Sequence, residues 1–97
     1  TGRRIESSEA LALGIFNQVV EDTAFPEAVT ELASQIASGP PIALGYMKEN
    51  INSAIESSLQ NNLAREADRL MRCAATDDHK EAVAAFMEKR PPVFTGK

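Results

Sequence analysis

Tryptophan is absent from this 97-residue sequence, tyrosine occurs once, and aromatic residues make up only 5% of it. The apolar content is therefore carried mostly by Ala, Val, Ile and Leu, spread along several stripes. A chain of this length buries somewhat under about 70% of its unfolded surface. With so few large side chains it is expected to fold alone only marginally and to lean on a further surface. The single cysteine, Cys73, excludes an internal disulfide framework and fits a reducing compartment, so a cytoplasmic location is expected. One histidine, His79, beside one cysteine is too few ligands for zinc, and no metal is expected. No apolar run approaches the roughly 18 residues of a spanning helix. The opening residues also lack the continuous apolar stretch of a secretion signal. The formal charge is −4, with no strongly basic stretch, which argues against a nucleic-acid partner or an anionic membrane. Neither of the common glycine-rich phosphate loops is present.

The punctuation of the chain is clear. Gly14, Gly39-Pro40-Pro41 and Pro91-Pro92 divide it. Residues 1–6 read as an extended lead-in, and Ser7 or Ser8 as the N-cap of a short helix that Gly14 ends. Residues 15–20 read as an extended, partly buried segment. Pro26 suits the first turn of a helix whose apolar stripe is Val29, Leu32, Ala33, Ile36 and Ala37. Pro41 opens the next, with Leu44, Met47, Ile51, Ala54 and Ile55 on one face; Gly45 within it leaves room for another backbone to approach. Ser57-Ser58 marks either a break or a position the helix runs through. The stripe Leu59, Leu63, Ala67, Leu70 and Ala74 then steps by 4, 4, 3 and 4, a narrow seam close to that of a coiled coil. A last helix begins at Thr76-Asp77-Asp78, with Asp78 and Glu81 at capping-box spacing and Ala82, Val83, Phe86 and Met87 as its apolar face. Lys89 and Arg90 suit its negative end. The pattern is mainly α, with residues 1–24 as a small extended N-terminal part and residues 25–97 as a helical region and tail. The acidic excess lies in residues 1–38, where six acids face Arg3 and Arg4; it reads as a solvated face.

Chemistry-bearing residues are few. Nothing in the sequence brings Cys73 and His79 together as nucleophile and base. The acid pairs Glu21-Asp22 and Asp77-Asp78 are explained by a turn and a helix start. The one constellation that stands out is Phe86, Lys89 and Arg90 at the end of the last helix. A ring face beside cations can hold a purine and a phosphate; a core phenylalanine beside a solvated Lys-Arg pair explains the same residues.

Several segments resemble the enoyl-CoA hydratase/isomerase (crotonase) family. They are Thr1-Gly2-Arg3-Arg4-Ile5, Glu9-Ala10-Leu11 and Gly14 to Val20, then Leu32-Ala33, Ile36-Ala37 and Pro40 to Ala43, then Lys48, Ile51-Asn52 and Ala54. The sharpest similarity is in the tail: Thr76 to Ala82, Ala85-Phe86, Glu88 to Pro92 and Phe94-Thr95-Gly96. The resemblance implies the C-terminal helical, trimerisation region of the crotonase fold, the last third of a longer enzyme acting on acyl-CoA thioesters. In that family the acidic residues and the oxyanion hole that stabilises the thioester enolate lie ahead of the part resembled, so no catalytic residue is assigned here. No cofactor is implied beyond the coenzyme A of the substrate, and the implied assembly is a trimer or a dimer of trimers. Phe86 and Lys89 match the family positions that reach the CoA adenine and ribose 3′-phosphate. Ile15 and Phe16 match a turn near its acyl pocket. Ala82 departs from the glycine common in the family, which puts a bulkier group beside that helix. The other reading of the same residues is a stand-alone helical module that self-associates and has no catalytic activity.

Overall fold

Five α-helices and one 3-10 turn make up the regular structure of residues 2–97, the residues that the computed structural model describes. The helices are α1 (Ser7–Ala12), α2 (Phe25–Ala37), α3 (Pro41–Ala54), α4 (Leu59–Ala74) and α5 (Asp77–Glu88), with the 3-10 turn at Asp22–Ala24. No strand forms among the described residues. Residues 15–20 run without a ladder partner, and Ile15, Phe16 and Val19 are exposed rather than partly buried. None of the helices is long and apolar enough to cross a membrane. The chain divides into two units, Thr1–Ser34 and Gln35–Lys97.

In the first unit, Arg3 lays its guanidinium fork on the Glu9 carboxylate, with Nη1 donating to Oε2 at 2.9 Å. This pair ties the lead-in to α1. It holds the Glu9 carboxyl below its ordinary range and raises the Arg3 guanidinium above its own. Helix α1 starts one residue earlier than its serines suggest. Glu6 stands at the cap position without a side-chain bond, and Ser7 is already helical. Its other end follows the sequence. Gly14 takes a left-handed φ of 72°, its N–H donates to the Leu11 carbonyl at 3.0 Å, and the Ile15 N–H donates to the Ala10 carbonyl at 2.9 Å. This pair of bonds is a Schellman motif, which satisfies carbonyls the helix end would otherwise orphan.

In the second unit, α3 packs on α4 and α4 on α5. Pro41 occupies the first turn of α3, where its missing N–H costs nothing. Gly39 is not left-handed; a Cβ there would lie 2.9 Å from Leu44 Cδ1, the movable end of a side chain, and 3.3 Å from the Ile36 carbonyl oxygen. Gly45 meets no atom within 4 Å of where a Cβ would stand, so the expected close backbone approach is not made among the described residues. Helix α3 ends at Ala54, and Ser58 caps α4 by accepting the Asn61 N–H at 3.2 Å. The serine pair is therefore a break.

The faces that meet between α3 and α4 are largely polar. Ser53 Oγ donates to Asn62 Oδ1 at 3.3 Å, and Asn62 Nδ2 donates to the Ser57 carbonyl at 3.4 Å. Arg69 bridges to Glu49 at 2.8 Å and lies 4.4 Å over the Tyr46 ring. Two buried side-chain atoms there, Asn50 Oδ1 and Arg69 Nε, lack a protein partner. The apolar stripes point elsewhere. Leu59, Leu63 and Leu70 of α4 are 73%, 55% and 68% exposed, and Met47, Ile51 and Ile55 along α3 are exposed too. The only buried apolar residues among those described are Ala10 and Ala85.

Helix α5 resolves its first turn completely. Thr76 is the cap, and its Oγ1 accepts the His79 N–H at 3.1 Å. The Asp77 and Asp78 N–H groups both donate to the Lys97 backbone carbonyl, at 2.7 and 3.1 Å, and the Thr76 N–H donates to the Cys73 carbonyl at 3.0 Å. All four donors that a helix start leaves orphaned are thus satisfied. Asp78 and Glu81 are consequently not a capping box. Their side chains hold the tail instead: buried Asp78 accepts the Thr95 and Gly96 N–H groups at 2.7 and 2.9 Å, and Glu81 accepts the Val93 N–H at 3.0 Å and Arg90 Nη2 at 2.9 Å.

Asp78→Ala removes both acceptors of a buried clamp. Hydrogen exchange at the Thr95 and Gly96 amides is expected to speed up by roughly ten- to a hundredfold, the equivalent of losing a charge-assisted bond; unchanged exchange would show that other contacts hold the tail. The Arg90 guanidinium and the Val93 N–H hold the Glu81 carboxyl down to about 2. Because its folded value is depressed, this group's contribution is present above the ordinary glutamate range and lost as pH falls through about 2. The Glu81 carboxyl resonance should accordingly titrate with a midpoint near 2, and an ordinary glutamate midpoint would mean that the clamp is open in solution.

Candidate functional site

Two places carry the residues singled out from sequence, one in each unit. In the first unit, the turn after Gly14 and the start of α2 enclose an apolar groove of about 480 Å³. Ile15 and Phe16 form one wall with Val19 and Val20, and Phe25, Val29 and Leu32 of α2 form the other. The Schellman bond to the Ile15 N–H fixes how the chain leaves α1 and so aims this wall. The 3-10 turn at Asp22–Ala24, which nothing in the sequence pattern signalled, carries the chain across to Phe25. Leu32 and Val29, from the apolar stripe of this helix, offer a half-covered face to the groove.

In the second unit, Phe86, Lys89 and Arg90 stand at the end of α5. Phe86 is 82% exposed, which overturns the alternative of a core phenylalanine within this chain. The apolar face expected on α5 is likewise uncovered at Val83 and Met87; the face that packs is Asp78, Ala82 and Ala85. Ala82 is partly covered and lines a small recess.

The two cations part company. Arg90 is fully engaged: its fork grips Glu81, and Nε donates to Glu88 at 2.6 Å. These carboxylates raise its guanidinium above the ordinary range. Lys89 makes no ion pair among the described residues and is exposed. It also takes a left-handed backbone, φ 55° and ψ 40°, the one non-glycine residue described with positive φ. Its N–H donates to the Phe86 carbonyl at 3.3 Å, and the Arg90 N–H donates to the Ala85 carbonyl at 3.0 Å. This is the same terminator as at Gly14, but with a lysine where glycine is usual. Such a conformation costs an L-residue roughly 1–2 kcal/mol. No spacing rule marks it in the sequence.

Cys73 and His79 do border one small recess of about 100 Å³, together with Thr76, Asp78 and Phe94. The Asp78 carboxylate there is occupied by the tail amides, and no bond joins Cys73 to His79. The nucleophile–base–orienter chain of covalent catalysis is thus not assembled among the described residues.

The family model for enoyl-CoA hydratase/isomerase matches residues 1–97. A short-chain-enoyl-CoA hydratase of Clostridium acetobutylicum is 36% identical over 90 residues, a match that takes in 93% of this chain and 34% of the relative. A 1,2-epoxyphenylacetyl-CoA isomerase of Escherichia coli is 35% identical over 96 residues, covering 99% of this chain and 37% of the relative. Among solved structures, an enoyl-CoA hydratase from Bacillus anthracis superposes with a TM-score of 0.93 at 36% identity, over 99% of this chain and 37% of that one. The chain therefore spans about a third of the length of the relatives it matches. With the whole chain covered by the family model, and the same helical arrangement found in a solved hydratase, the chain belongs to the enoyl-CoA hydratase/isomerase family.

Proposed function

We propose that this chain is the C-terminal helical region of a cytoplasmic enzyme that acts on acyl-CoA thioesters through an oxyanion-hole-stabilised enolate, and that its own share of the work is assembly and recognition of the CoA end. The observation that carries this reading is the pairing of a bare aromatic ring, Phe86, with a cation held free, Lys89, while the neighbouring Arg90 is consumed by two carboxylates. An exposed ring can stack on a purine for about 1–3 kcal/mol. A lysine acts as a point charge toward a phosphate. The strained backbone at Lys89 supports the same reading, since glycine would terminate α5 at lower cost and carry no charge. The groove lined by Ile15 and Phe16 fits an acyl chain in its chemistry: apolar walls, with Ser7, Asn17 and Gln18 among its polar lining residues.

The exposed stripes on α3 and α4 support the assembly share. Leu59, Leu63 and Leu70 lie on one side of α4 at the narrow period of a helix–helix seam, and a trimer, or two stacked trimers, would cover them. No residue of the chain is assigned to bond making. Proton transfer to the acyl carbons and stabilisation of the enolate oxygen are left to groups outside this segment.

In the complete protein, Lys89→Ala should weaken binding of an acyl-CoA about tenfold, as expected for one lost charge-assisted contact, and should leave the corresponding acyl-pantetheine thioester bound as before. An equal loss for both ligands would make Lys89 a solvated helix end. Lys89→Gly should relieve the left-handed strain and stabilise the protein by about 1 kcal/mol, yet bind acyl-CoA no better than the alanine variant. The 97-residue segment alone should not hydrate crotonyl-CoA; measurable turnover by it would place catalytic groups within the segment.

A further inference from the structure

The strap formed by residues 90–97 is fastened along the same face of α5 that points away from Phe86. It is pinned at three levels: Glu81 takes Arg90 and the Val93 N–H, Asp78 takes the Thr95 and Gly96 N–H groups, and the Lys97 carbonyl takes the first two N–H groups of the helix. The chain must reverse to lie back along its own helix, and the residue at the reversal is Lys89, in its left-handed conformation. A strained backbone persists only where its surroundings over-determine it. Here the contacts that do so on the tail side are the Glu81 bonds to the two residues that flank the Pro91-Pro92 step. The prolines restrict the chain between those two anchor points, so little slack remains at the turn.

We infer that Glu81 is a positioning residue that fixes the aim of Lys89: by clamping Arg90 and Val93 it holds the reversal that directs the lysine toward the phosphate of the CoA nucleotide. The inference rests on the proposed CoA-end role of Lys89. It assigns Glu81 a task that its sequence spacing disguises, since the D-x-x-E pattern reads as a helix cap and none of the cap bonds is made by it. It also explains the division of labour between adjacent cations. Arg90 presents the planar fork that a carboxylate can grip on two sides, which a lysine cannot offer. Lys89, one residue earlier, stays uncommitted.

The test is a double-mutant cycle in the complete protein, read as dissociation constants for coenzyme A and for 3′-dephospho-coenzyme A. Glu81→Gln should weaken coenzyme A about three- to tenfold, the size of one misaligned contact, and leave the dephospho form unaffected. Glu81→Gln combined with Lys89→Ala should be no weaker than Lys89→Ala alone, because the first acts only through the second. Arg90→Lys, which keeps the charge and loses the fork, should repeat the Glu81→Gln result; it serves as the arm should Glu81→Gln fail to fold. Full additivity of the two changes, or a loss from Glu81→Gln that is equal for both ligands, would overturn the positioning role while leaving the CoA-end reading intact. No effect of Lys89→Ala on either ligand would remove the CoA-end reading, and the positioning role with it.

Discussion

A helix bundle in water is ordinarily held by apolar stripes that face one another. In this chain the contact between α3 and α4 is made by Ser53, Asn62, Arg69, Glu49 and Tyr46, and the leucines of α4 face outward. Full burial of a large apolar side chain contributes about 1.5–3 kcal/mol, so Leu59, Leu63 and Leu70, each about two-thirds exposed, together withhold about 3–6 kcal/mol, a sizeable part of the net stability of a small domain. Those leucines, with Met47, Ile51 and Ile55, make physical sense as one side of a contact whose other side this chain does not supply. The uncovered stripes leave the segment short of buried apolar surface.

Against that background α5 is the self-sufficient part. Its first turn has every N–H satisfied, its tail returns along it under two carboxylates, and its packed face is built from Asp78, Ala82 and Ala85. Rigidity there serves the exposed end of the helix. A ring and a cation bind a nucleotide more tightly when they need not be ordered at the moment of binding, because ordering a long side chain and its backbone reduces affinity. The clamp pre-orders the reversal beneath Lys89 and leaves Phe86 bare.

Most helix ends were legible from the sequence because glycine, proline and hydroxyl residues act locally; whether Ser57-Ser58 separates two helices was settled only by the cap at Ser58. Gly14, Pro41, Ser58 and Thr76 each do what their chemistry dictates within a turn or two. The stripes were equally legible as stripes, but periodicity carries no information on what covers a face, and here none of them is fully covered among the described residues. The small extended segment at 15–20 shows the same limit, since a strand exists only with a neighbour to bond. At the candidate site, the identities of Phe86 and Lys89 came from the family pattern, whereas the roles of Asp78 and Glu81 did not. Their contacts lie 12 to 18 residues away, at Val93, Thr95 and Gly96, or come through the left-handed turn at Lys89. A capping-box spacing and a tail clamp look alike in one dimension, because both place two acids on one face of the first turns.

The central physical claim is that the outward leucine and isoleucine stripes require a surface from outside this segment. Thermal unfolding of the 97-residue chain, followed over a wide range of concentration together with sedimentation and binding of a hydrophobic dye, tests it most directly. Expected are dye binding, self-association and a transition that moves with concentration. A sharp transition independent of concentration, from a monomer that takes up no dye, would contradict it.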